Sequence, residues 1–232
     1  MKHEESMGKP QEGSESHEQE KLLWHAENNF ARLEITKESL GRGDVVTIKD
    51  ERDPQQIELN DFLPEGNRFI FVADSCRHSH YDYKNGFVTL SSKDLDFYGL
   101  SSLVIILHEV GHAVEYQKKP ENIEKLAELD RIVLGTEDPA VFSEFYRLLS
   151  ESERGAWAFA IKTLRSLVKE LDIKMDDINL PLEEIKRIME RSLSSRKETA
   201  EGFASRFPES EKEKLLEEIS KLFTRKDKSK EK

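Results

Sequence analysis

The sequence predicts an α+β protein, with a small antiparallel sheet in its first half and helices in its second. Three observations carry that expectation. Between residues 45 and 90 the apolar residues come in short runs rich in β-branched and aromatic side chains. Asp-Pro, Pro-Glu-Gly-Asn and Lys-Asn-Gly segments punctuate those runs as turns. Beyond residue 101 the apolar residues recur instead at steps of three and four, the period of a helix with one buried face.

Taken in order, Leu22, Leu23, Ala26, Phe30 and Leu33 fall at helical spacing and predict a first helix over 18 to 40, ending near Gly41 or Gly43. Strands are expected at 45 to 48, 69 to 73 and 87 to 90. The segment 86 to 91 stands close before the next helix and is expected as an edge strand. The apolar run 103 to 107 reads as a helix entering a core, with Ser101 or Ser102 available to cap it. A further helix is expected from Pro120 to Gly135. Asp138 as N-cap and Pro139 at the first helical position then open a long amphipathic helix to about Leu171. Helices over 181 to 194 and 209 to 223 follow, separated by Gly202 and Pro208.

The 232 residues are 36% hydrophobic and 36% charged, enough to bury one sizeable core. The expected organisation is a disordered acidic tail over 1 to 20, a main domain over 21 to 171, a helical extension over 172 to 224 and a basic disordered tail over 225 to 232. No apolar run approaches the roughly 20 residues that span a bilayer, so no membrane association is expected. The polar start shows no apolar signal region, and Cys76 is the single cysteine; cytoplasmic residence is the expectation. A net charge of −11 argues against general nucleic-acid binding, which needs concentrated positive charge.

The chemistry is concentrated in His108-Glu109-Val110-Gly111-His112. On a helix, positions i and i+4 lie one turn apart on one face, so both imidazoles can reach one tetrahedral zinc ion. Glu109 then stands beside the open position. It can take a proton from a water whose pKa the metal lowers from about 16 to about 7. Gly111 allows another backbone to come close to the metal. The pattern predicts metal-assisted hydrolysis.

A catalytic zinc site usually takes three protein ligands. No histidine follows His112, which turns the search to carboxylates. Phe142, Phe145, Leu149, Ala156, Ala160, Leu164 and Leu167 form one apolar stripe, and Glu153 falls on it. Glu144 and Glu151 point to nearly the opposite side. A carboxylate on a buried stripe is costly unless paired or bound to a metal. Zinc ligation satisfies it, as would an arginine such as Arg154 or Arg165, or a place at the wet edge of the stripe.

At these two segments the chain resembles the gluzincin group of zinc metallopeptidases. His108-Glu109-Val110-Gly111-His112-Ala113 resembles their HExGHA helix, and Glu153-Arg154-Gly155-Ala156-Trp157 is similar to their Glu-x-x-Ala-Asn/Asp helix. The resemblance implies a zincin-like domain whose small antiparallel sheet packs on the HExxH helix, with zinc on His108, His112 and Glu153 and with Glu109 as general base. It also implies a peptide or protein substrate, held in extended form along the 86 to 91 strand. Trp157 departs from the pattern, since those families carry Asn or Asp there.

Many such peptidases stabilise the anionic intermediate with a downstream His or Tyr, and none follows Glu153 here. The role falls to zinc alone, to Arg154, or to an earlier residue such as Tyr116 or Tyr146. That gap and Trp157 keep a second expectation open: a catalytically decayed zincin acting as a protein-binding module. Cys76, His78 and His80 carry metal-ligand residue types, and Cys76 could close the open zinc position; short clusters of this kind are commonly incidental.

Overall fold

The computed structural model describes residues 21–27, 31–37, 43–50, 56–73, 78–95, 101–171 and 182–223. The two tails and Cys76 lie outside them. Seven strands come first: β1 (Lys21–Glu27), β2 (Ala31–Lys37), β3 (Asp44–Asp50), β4 (Gln56–Glu58), β5 (Arg68–Val72), β6 (His80–Asp82) and β7 (Phe87–Ser91). Five helices follow: α1 (Ser101–Lys118), α2 (Pro120–Val133), α3 (Pro139–Glu170), α4 (Leu182–Ala204) and α5 (Glu209–Phe223). The class is α+β.

The first helix expected from the sequence is instead two strands, β1 and β2, paired antiparallel. The alternation in Arg32-Leu33-Glu34-Ile35 wins over the helical spacing because it serves long-range pairing: Leu33 stands opposite Ile48 and Ile35 opposite Val46, all four buried. Local spacing of Leu22, Leu23 and Leu33 carries no information about β3, and so it misleads.

The sheet order is β1-β2-β3-β5-β7-β6, with β4 paired to β3. It is mixed rather than antiparallel, because β5 and β7 run parallel, Phe69 opposite Val88 and Phe71 opposite Leu90. The chain passes from β5 to the outer position, forms β6, and returns through a turn at Gly86 (φ 68°) to lay β7 between them. This also corrects the edge. The 86 to 91 segment is internal, and β6 is the strand at the border.

One core joins the sheet to α1 and the second half of α3 through Leu33, Phe69, Leu90, Leu103, Leu107 and Leu164. A second joins α2, the first half of α3, the end of α4, and α5 through Phe142, Phe145, Ala200, Phe207 and Ile219. The α3 start follows the sequence: Asp138 Oδ1 accepts from the Ala140 N–H at 2.9 Å, with Pro139 in the first position. Helix α4 runs ten residues past the expected end at 194, through Gly202, because Ala200 and Ala204 are fully buried in the second core. Among the described residues no helix is long and apolar enough to cross a membrane.

Candidate metal centre

Helices α1 and α3 pack against each other, and Gly111 is what lets them approach. A Cβ built on Gly111 would fall 2.6 Å from the Ala156 carbonyl oxygen and 2.7 Å from its Cα. Real atoms do not approach so closely, so only glycine fits. That contact brings Glu153, one turn before Ala156 and Trp157, over the two histidines of α1.

The Nε2 atoms of His108 and His112 lie 3.2 Å apart, and Glu153 Oε2 lies 3.4 Å from His108 Nε2. Zinc–donor bonds of about 2.05 Å in tetrahedral geometry require donors about 3.3 Å apart, which is the spacing of those two pairs. All three donor atoms fall within 4.8 Å of one another. Glu153 is 2% exposed, and its Oε2, although buried, has no hydrogen-bond donor. An orphaned buried carboxylate oxygen facing two imidazole nitrogens fits a cation. His108, His112 and Glu153 can thus hold a metal ion.

The surroundings prepare each donor. His112 Nδ1 is 3.1 Å from Ser152 Oγ; with Nδ1–H donating there, Nε2 keeps its lone pair. Burial and the neighbouring His108 push the His112 pKa down to about 4, which leaves the imidazole neutral, the form that ligates. His108 is oriented differently. Trp157 stacks on its ring, with centroids 4.1 Å apart and planes 28° from parallel. The indole therefore lies flat against the first histidine.

Burial alone would raise the Glu153 carboxyl. The close approach of His108 Nε2, 3.4 Å from Oε2, and the charges of His112, His108 and Arg196 outweigh it and bring the pKa down to about 2. The arginine that partners Glu153 is neither Arg154 nor Arg165. It is Arg196 of α4, with Nη2 3.2 Å from Glu153 Oε1. Glu109 is also buried, and burial together with the charge of Glu153 pushes its pKa well above the ordinary carboxylate range. A carboxylate in such surroundings is a stronger base than one in water, as suits a group that must take up a proton.

A cavity of about 570 Å3 opens over these residues. Its floor is His108, Glu109, His112 and Glu153; Ile123, Leu126 and Phe145 give it an apolar wall, and the region of β6 forms its rim. The backbone N–H of Tyr81, on β6, reaches Glu109. At the rim His78 Nδ1 is 2.6 Å from Asp94 Oδ1, and Lys93 Nζ is 3.4 Å from His78 Nε2. His78 and His80 thus stand on the cavity but outside the donor group.

The three groups considered from sequence for the anionic intermediate do not line the cavity. Arg154 turns away to donate to the Leu222 carbonyl of α5. Tyr116 packs on Tyr81 and Tyr83, and Tyr146 is buried between Phe142 and Phe145. Ser152 and Arg196 were not among the residues read from the sequence. The signal for Arg196 was the i, i+4, i+8 series of Ile188, Ser192 and Arg196, all on the cavity, which a helix ending at 194 cuts short.

No protein-family model matches this chain, and neither the curated proteins nor the solved structures contain a match to it.

Proposed function

We propose that the protein is a zinc-dependent metallopeptidase that hydrolyses peptide bonds at the floor of this cavity. The observation that carries the reading is a buried carboxylate, Glu109, on the same solvent-open cavity as three donor atoms that all lie within 4.8 Å of one another. A site that served structure alone would have no use for a buried proton acceptor next to its open side. Bound zinc supplies Lewis acidity, polarising the scissile carbonyl and acidifying water.

The chain supplies the rest. Glu109 takes the proton of the attacking water and returns it to the leaving amine. Ser152 and Trp157 keep the imidazoles in place. The border strand β6, next to Glu109, supports an extended peptide as substrate, since an unpaired strand edge offers backbone donors and acceptors in register.

Hydrolysis of a mixed peptide library by zinc-loaded protein tests this. Glu109→Gln is expected to retain zinc and lose turnover by roughly 10^2- to 10^4-fold, the range for a general base. Chelation is expected to abolish turnover while the fold persists. Turnover unchanged in Glu109→Gln would refute the reading. A chelator that melts a protein with no activity to lose would favour the binding module.

A further inference from the structure

We infer that Arg196, carried by α4, meets the carbonyl oxygen as it turns negative, so that the helical extension completes the reactive centre. This rests on the hydrolytic reading above.

Among the described residues lining the cavity, Arg196 is the only side chain with a permanent positive charge. Its Nη2 lies 3.2 Å from Glu153 Oε1, while the other oxygen of the same carboxylate faces His108. The guanidinium therefore pairs with one donor group and is separated from His108 by that single carboxylate. It is a rigid fork of five N–H donors, and Glu153 is its only ion-pair partner among the described residues. Its side chain is 53% exposed, which leaves the remaining donors accessible from the cavity.

The chemistry calls for a cation at this place. As the water oxygen bonds to the carbonyl carbon, Glu109 takes the proton and the carbonyl π pair moves onto oxygen. When the C–N bond breaks, that pair re-forms C=O and the proton passes to the amine. Between those events one oxygen carries a full negative charge, and a donor already aimed at it needs no rearrangement. Arg154, Tyr116 and Tyr146 are all turned elsewhere. If Arg196 served only to hold Glu153, its loss would appear in metal affinity and not in turnover.

The test compares full-length, zinc-loaded wild type, Arg196→Ala and Arg196→Lys. It measures kcat and KM on a cleaved peptide, zinc per chain, and calorimetric affinity for a phosphonate peptide whose tetrahedral anion mimics the charged intermediate. Arg196→Ala is expected to keep its zinc, lose roughly 10^2- to 10^3-fold in kcat with a smaller change in KM, and bind the phosphonate correspondingly less tightly. Arg196→Lys, or guanidinium added to Arg196→Ala, is expected to restore part of both. Unchanged kcat and phosphonate affinity, or a loss explained by departed zinc, would overturn the role. A wild type that neither cleaves peptides nor binds the phosphonate would overturn the hydrolytic reading as well, and this control separates the two failures.

Discussion

Glu144 and Glu153 stand on one helix, and both carboxyls are held at a pKa of about 2, yet against very different opposition from burial. Glu144 is partly exposed and sits in a surface network with Arg147 and Lys125, at 2.7 and 2.6 Å. Glu153 is buried, and burial works against its charge; the imidazoles and Arg196 overcome that cost. An exposed ion pair of the first kind contributes little, because water solvates both partners well when they are apart. A buried charge of the second kind is tolerated only where a counter-charge is built around it. The comparison teaches that a depressed carboxyl does not mark a site; burial against that depression does.

The largest effect expected from this contrast is in metal binding. Glu153→Ala should weaken zinc affinity by more than the 10- to 100-fold typical of losing an outer hydrogen-bond partner, whereas Glu144→Ala should leave it unchanged. Chelator competition measures both. Equal affinities would erase the distinction.

Next comes the helix crossing that puts Glu153 in place. Gly111→Ala drives a methyl group into the Ala156 backbone and is expected to cost about 1–3 kcal/mol, or roughly 2–4 °C of Tm per kcal/mol. Gly155 lies on the same interface, but a Cβ there meets the Glu115 side chain, 2.6 Å from its Cδ, which can swing aside. Gly155→Ala should therefore change stability by less than about 1 kcal/mol, helped by the better helix propensity of alanine. Thermal melts of the two variants side by side check this.

A smaller effect is expected at Trp157. Replacing it by Leu removes the ring that lies on His108, and zinc affinity should fall by about tenfold, within the range for outer partners of a ligand. Trp157→Asn, which can offer a hydrogen bond where the ring was stacked, should retain more affinity than Trp157→Leu if orientation of His108 is what matters.

The smallest belongs to the surface network. The folded pKa of Glu144 lies below its ordinary 4.5, so the folded state binds fewer protons than the unfolded one between those values. Its stabilisation is complete above pH 4.5 and disappears as pH falls towards 2. Because the pair is exposed, Glu144→Gln should cost less than about 1 kcal/mol at pH 7, nothing near pH 2, and still less at high salt. Denaturant melts across that range measure it.

What could be read from sequence follows the same division between local and distant. The histidine pair depends on one helical turn, and Glu153 was found from the stripe of a single helix, so both were legible. Asp138 and Pro139 opened α3 as expected for the same local reason. The segment holding Leu33 and Ile35 was misread as helical because its partners, Ile48 and Val46, lie across a strand pairing. The parallel register of β5 and β7, and the place of β6 at the border, depend on a chain path that spacing does not encode. Arg196 was missed for a related reason: its partner is 43 residues away on another helix, and a helix expected to end at 194 stops short of it.

The central claim is that His108, His112 and Glu153 hold a metal ion, and zinc content per chain tests it most directly. Elemental analysis of wild type after reconstitution and dialysis should give one zinc per chain, with Glu153→Ala strongly depleted under identical treatment. Wild type without zinc, or Glu153→Ala with a full complement, would contradict the account.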